Sequence, residues 1–498
     1  MSLWSMPHKA QLLILMLARL TDSLAAHSIH SYMFFQLRHF DPHTPAATIT
    51  TQCGLLVGAK TGAHVCTGLL WGRLADQKPK GRKLVLVFGL LASSAATVGY
   101  GFATTFHQAI GWQMLEGAMN ATVAMVRCMT AELQTEKKYR VRAFTLLPLF
   151  ANIGSVIGPL IGGFLSSTRT RDSIVPGYPY AMPNICVAAI EVVVVIAAVF
   201  ALTDTSRQEQ SGRTESYSTT TRADSVITPA CQPEHEPDER TALLQSHSTA
   251  SGGPGSQHTG DHPDSFSVKE IWTPNVLKTM FAQFVVAGHL GTFATLWAML
   301  LSLPVASSHG QPSLIHFSGG LGFQPHAVGV AMSALGFAGI ILQILVYPSL
   351  QERWGTIRVW RASLCLFPIV YFGAPFCVLV PLLGQDLERQ HLALYTILKW
   401  SALLSVLVSF VAARTGVVPA TSLLINDCTP HPSVRGTIHT AGVICSNLSR
   451  SVFPPMALAV MGFGLRTGTV GLGFWFITIL AVLSILASSQ VREGPDGQ

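Results

Sequence analysis

Arg19 and Asp22 stand three residues apart inside an apolar run that extends from about residue 11 to 37. A run of that length can cross a bilayer, which takes roughly 20 apolar residues. At about 1.5 Å of rise per residue, Asp22 would lie roughly 17 Å into the membrane, with Arg19 on the same helical face. An ionisable group at that depth is expensive, so it is a functional candidate by default. Two readings stand side by side. Asp22 is a carboxylate that takes up and releases a proton under the influence of Arg19, or the two form a permanent pair that fixes helix packing.

Other polar groups sit in similar runs. Glu191 is roughly 15 Å deep in its own stretch and reads as a packing group or a carboxyl held neutral. Arg127 reads as a latch toward Asp76 or Glu132, or as a plain topological charge. Arg414 suits an anionic solute, a salt bridge or a carbonyl cap, whereas Arg450, near Asn447 and Pro454-Pro455, reads as structural. His27, His30 and His64 have a spacing that a metal could use, but no nearby carboxylate or thiolate completes a site, so no metal and no cofactor are expected.

The elements that must position these groups follow from composition. Charged residues are 11% of 498 and apolar residues 49%, against about 25% charged in soluble domains. Twelve apolar stretches can be marked: 11–37, 50–72, 84–106, 111–132, 142–167, 181–203, 274–302, 325–348, 359–383, 400–427, 437–462 and 468–489. The fold class is therefore an all-α membrane protein. The net charge of +7 resides in short clusters between spans: Arg73, Lys78, Lys80, Arg82 and Lys83; Lys137, Lys138, Arg140 and Arg142; Arg353, Arg358 and Arg361. That is the distribution of cytoplasmic loops, not of a nucleic-acid surface. The nine cysteines are scattered and read as small apolar residues. The N-terminus reads as a first span entering from the cytoplasm, without a signal peptide.

Residues 204–268 are rich in Ser, Thr, Pro, Asp, Glu and His and read as a disordered cytoplasmic linker. It separates an N-terminal six-helix bundle at 1–203 from a C-terminal one at 269–490, with a cytoplasmic tail at 491–498. Within the linker, Glu239 followed by Leu243-Leu244 resembles an acidic dileucine signal that an adaptor complex would read, or is a chance match.

Several motifs carry a resemblance. Gly72-Arg73-Leu74-Ala75-Asp76 followed by Gly81-Arg82-Lys83 resembles the G-x-L-A-D-R-x-G-R-K loop of the major facilitator superfamily. Gly72 would permit close helix approach there, and Asp76 would cap or pair at a helix end. Asp76 and Gly81 are five positions apart, where the family has three. Glu352, Arg353 and Gly355 echo the loop in the second half, and two related loops point to a repeat. Gly154, Gly158, Pro159, Gly162 and Gly163 are similar to the G-x-x-x-G-P-x-x-G-G motif of antiporter members. Glu116-Gly117-Ala118-Met119-Asn120 through Arg142-Ala143-Phe144 looks like the fungal drug:proton antiporter group, which includes zinc-induced-facilitator-like proteins. Gln113 stands where the family's fourth-span motif has an arginine.

The resemblance implies the major facilitator fold, twelve transmembrane helices in two pseudo-symmetric six-helix bundles, working as a monomer. Its first, fourth, seventh and tenth spans line a central cavity, which would place Arg19, Asp22, Asn120, His289 and Arg414 there. Gly72, Asp76, Gly81, Arg82, Arg127, Glu352, Arg353 and Gly355 would form a cytoplasmic gate. The implied activity is alternating-access transport of a small organic solute in exchange for protons. A facilitative or proton-symport carrier and a non-transporting sensor are the alternatives. No HExxH, paired-Asp motif or nucleophile elbow supports an enzyme. The setting would be a vacuolar, endosomal or plasma membrane with both termini cytoplasmic.

Overall fold

The computed structural model describes residues 7–77, 81–134, 136–166, 175–203, 272–306, 316–384, 390–428 and 435–492. The linker at 204–268 with Glu239, Leu243 and Leu244, residues 493–498 of the tail, and Lys78 and Lys80 lie outside the described residues. The first half comprises α1 (Lys9–Ser28), α2 (Met33–Phe40), α3 (Ala46–Gln77), α4 (Gly81–Gly101), α5 (Phe106–Met119), α6 (Thr122–Leu133), α7 (Lys137–Leu165) and α8 (Ala181–Ala201). The second comprises α9 (Pro274–Ser302), α10 (Pro325–Leu345), α11 (Tyr347–Trp354), α12 (Thr356–Gly373), α13 (Leu379–Leu383), α14 (Leu392–Asp427), α15 (Arg435–Thr467) and α16 (Leu472–Ser489).

Among the described residues, ten helices are long and apolar enough to cross a membrane. The two marked stretches outside that set each have a physical reason. Threonines, glycines, Lys60 and His64 dilute the apolarity of α3, which is 32 residues long. The fourth stretch is broken between α5 and α6 at Asn120, so each piece is short. The helices are compatible with twelve crossings.

The end that carries the start of α1 and the α3–α4 turn is the basic side; the other is the far side. Glycines show where the halves meet. On the seam between α3 and α15, a Cβ at Gly54 would lie 2.9 Å from Leu458, one at Gly58 would strike Pro455, and one at Gly62 would sit 3.9 Å from the Ser451 Cβ. Nearer the basic side, Gly68 and Gly72 face open space. The second seam joins α7 and α10. There Gly163 and Gly329 abut, each Cβ position about 3 Å from the other's Cα. Farther along, Ser333 donates to the Val156 carbonyl at 2.6 Å and Asn152 to Gln343 at 3.0 Å.

The apolar core follows the same division. One large cluster crosses between the halves, uniting Tyr32, Phe34, Leu56 and Tyr100 with Phe293, Trp297 and Phe367. Toward the basic side it splits. Leu15, Leu86, Val126 and Met129 form a core within the first half, and Val276, Met280, Ile425 and Ile438 one within the second. The molecule is closed on its far side and open on its basic side.

Candidate functional site

The break in the fourth span is the organising feature of the site. Asn120 has an extended backbone (φ −79°, ψ 98°), and its side-chain oxygen accepts from the Thr122 N–H at 3.1 Å, starting α6 anew. Asn favours such a position because its amide competes with helical backbone bonding. A broken helix in a membrane must have its freed carbonyls satisfied. The Ala118 carbonyl accepts from the Thr67 hydroxyl at 2.8 Å and the Trp71 indole at 2.6 Å, both on α3.

The Asn120 amide also donates to Asp22 at 2.6 Å, and Arg19 donates to the other carboxylate oxygen at 2.5 Å. Asp22 thus has both oxygens engaged beside the amino end of α6, where the helix dipole favours negative charge. It lies roughly 20 Å from the start of α1 at about 1.5 Å per residue. The expected cavity residues Arg19, Asp22 and Asn120 are brought together.

The glycine motif of the fifth span holds α1 in place. Gly154, Gly158 and Gly162 face the α1 backbone at Leu20, Leu24 and Ser28, and a Cβ at any of them would collide with those carbonyls. The Ser31 hydroxyl donates to the Pro159 carbonyl at 2.9 Å. Gly163 faces the other way, onto α10. The motif therefore clamps the Asp22 helix on one face and seals the two halves on the other.

A second charged pair has no signature in the sequence. Lys60 on α3 bonds Glu116 on α5, and Gln113 donates to the same carboxylate at 3.3 Å. The two are 56 residues apart, so no local spacing advertises them. Gln113, in the place of the family arginine, serves as a neutral donor to Glu116. Glu191 is fully buried between α8 and α4, where it accepts from Ser93 at 3.3 Å.

Three further arginines converge. Arg450 lies within electrostatic reach of Arg414, Arg19 and Arg127, and Arg127 within reach of Arg19. The Arg450 stem passes Gly291 of α9, where a Cβ would be 3.1 Å from its Cγ. Arg450 therefore lies near Arg19 and Arg414, two of the expected cavity residues. His289 lies elsewhere: it is fully buried inside the second half, hydrogen-bonded to Tyr371 at 2.9 Å and edge-on to Phe367.

At the basic side, Arg82 pairs with Glu132, tying the start of α4 to the end of α6. Arg127 makes no bond to Glu132. Gly81 packs directly on the Ala75 carbonyl, bringing the start of α4 against the end of α3, while Gly72, expected at a close helix approach, faces open space. Asp76 is in the last turn of α3. Glu352 and Arg353 are exposed on α11, which Gly355 ends with a positive φ of 75°. His27 and His30 have ring centroids 6.2 Å apart, and no group of three or more metal-ligating side chains occurs among the described residues.

Helices open at one end, sealed by glycine seams at the other and enclosing charged groups at mid-depth, define a polytopic membrane carrier. The chain belongs to the Major Facilitator Superfamily, whose sequence profile matches residues 12–454, and it is a membrane transporter. It is 24% identical to the multidrug transporter mfsB of Aspergillus fumigatus over 98% of this chain and 84% of that one. It is 21% identical to the ZINC INDUCED FACILITATOR 1 protein of Arabidopsis thaliana, over 86% and 79% of the two chains. Among solved structures, a D-xylose-proton symporter superposes with a TM-score of 0.66 at 11% identity, covering 98% of this chain and 99% of the other.

Proposed function

We propose that the protein is a proton-linked carrier that moves a small organic solute by alternating access, with Asp22 as the group that carries the proton. The observation that supports this reading is the Asp22 carboxylate, held by Arg19 and Asn120 at the broken fourth span. Neutralising that carboxylate weakens both charge-assisted bonds and turns one oxygen into a donor, so one proton changes the bonding between α1 and the fourth span. The basic clusters support a cytoplasmic open side, by the positive-inside rule. A solute would then load from the cytosol, in line with the name of another relative, the efflux pump azaK of Aspergillus niger, 25% identical over 98% of this chain.

Exchange for protons is the coupling mode that the fifth-span motif supports, through its resemblance to antiporter members. Cotransport with protons is the second reading, favoured by the positive cleft, because a positive site accepts an anion better once Asp22 is neutral. The test is flux of a panel of organic solutes into liposomes holding the purified protein, under a pH gradient of either polarity. Solute movement against the proton flow supports exchange, and movement with it supports cotransport. Gradient-driven flux that persists unchanged in Asp22→Asn would remove Asp22 from the mechanism.

A further inference from the structure

Arg127, Arg414 and Arg450 come from three different helices, α6, α14 and α15. They lie roughly 9, 20 and 22 Å from the basic-side ends of those helices at about 1.5 Å per residue. Arg127 and Arg450 have exposed surface despite that depth, and Arg414 is half-buried. Among the side chains described, which do not include that of Asp76, none of the three has a hydrogen bond or an acidic partner. The acids nearby are already engaged: Asp22 by Arg19, and Glu116 by Lys60. Lipid cannot be the surroundings, because Arg450 runs along Gly291 of α9 and shares its field with arginines on three other helices.

We propose that the transported solute is an organic anion, and that Arg127, Arg414 and Arg450 are the residues that recognise it. The assignment rests on the carrier reading above and adds the substrate class. Three unpaired guanidinium groups in a protein cleft repel one another and leave donor hydrogens without acceptors. A carboxylate or sulfonate relieves both costs, because the planar guanidinium fork matches two acceptor oxygens. The placement in depth adds a gradient of attraction. Arg127 near the mouth draws an anion in, while Arg414 and Arg450 hold it near the level of Asp22. Gly291 gives the Arg450 stem the room to reach that position.

The experiment measures thermal stabilisation and binding on the full-length, detergent-purified chain. The probes are benzoate, benzenesulfonate and citrate, set against benzylamine and rhodamine 123 as cations. At least one anion is expected to raise the unfolding midpoint in a salt-sensitive manner, with no response to the cations. Arg414→Gln and Arg450→Gln should each weaken that binding about tenfold or more, while Arg450→Lys retains part of it. Arg466→Gln, outside the cleft near the end of α15, should leave binding intact. No response to any anion, or equal anion binding in Arg450→Gln and the parent, overturns the assignment. Anion binding without pH-driven flux would instead overturn the proton-linked reading and leave this one standing. Flux of rhodamine 123 or benzylamine without anion binding would do the reverse.

Discussion

Asp22 and Asn120, 98 residues apart in sequence, meet through a 2.6 Å hydrogen bond at the point where the fourth span is interrupted. One residue makes the interruption, accepts from the first N–H of the helix beyond it and holds the carboxylate. Asn120→Ala should therefore act on both helices. Loss of that acceptor costs ~1 kcal/mol of stability, and loss of the donor alters the bonding of Asp22. The expected outcome is a modestly lower unfolding midpoint together with a shifted pH profile of transport. An unchanged profile with the same loss of stability would confine Asn120 to a structural role.

The glycine clamp makes a sharper stability prediction. Gly158→Val inserts a side chain against the Leu24 carbonyl, and overpacking of that kind costs about 1–3 kcal/mol. Gly72→Ala meets nothing within 4 Å and should leave the unfolding midpoint unchanged while slowing transport, because closing the basic side brings that face into contact. Thermal denaturation and flux measured on both variants separate the two effects.

The seam between α3 and α15 can be locked. A Cβ at position 62 would lie 3.9 Å from that of Ser451, within the 3.5–4.5 Å that a disulfide requires. With the native cysteines replaced, Gly62→Cys combined with Ser451→Cys should cross-link on mild oxidation and stop transport. Reductant should restore it. Cross-linking without loss of flux would mean that this seam does not open during the cycle.

The charge of the cleft fixes the sign of one pH effect. Protonating Asp22 removes a negative charge and frees Arg19, so an organic anion should bind more tightly as the medium is acidified. By reciprocity, the bound anion favours the protonated form to the same degree. Benzenesulfonate does not titrate in the physiological range, so its affinity reports the protein alone. Its binding should tighten on acidification in the parent and lose that dependence in Asp22→Asn. Tighter binding on acidification is the sign of cotransport, the reading that the positive cleft favours; weaker binding would support exchange, the mode that the fifth-span motif favours.

Much of the architecture was legible because apolar length and charge clustering are properties of contiguous sequence. The fifth-span glycines could be read for the same reason, since residues four apart share a helical face. Relationships between distant spans escaped. Lys60 and Glu116 each resemble an isolated oddity until the fold joins them. Arg450 reads as structural beside Pro454-Pro455, because nothing local shows that Gly291 on another helix leaves it a path. His289 illustrates the converse: the right span for a cavity residue, but a face turned toward Tyr371 and Phe367 inside the second half. The span is a matter of sequence, whereas the facing side depends on how the helices are rotated in the bundle.

The row of glycines along α3 has a mechanical meaning beyond the contacts it makes. Gly54, Gly58 and Gly62 are engaged, while Gly68 and Gly72 are idle on the same helix. In the alternating-access cycle proposed above, a smooth strip of this kind would let α15 roll along α3, trading each contact broken for a like contact made. Such a bearing would bring the two orientations toward equal energy, so that cargo and proton need only tip a balance.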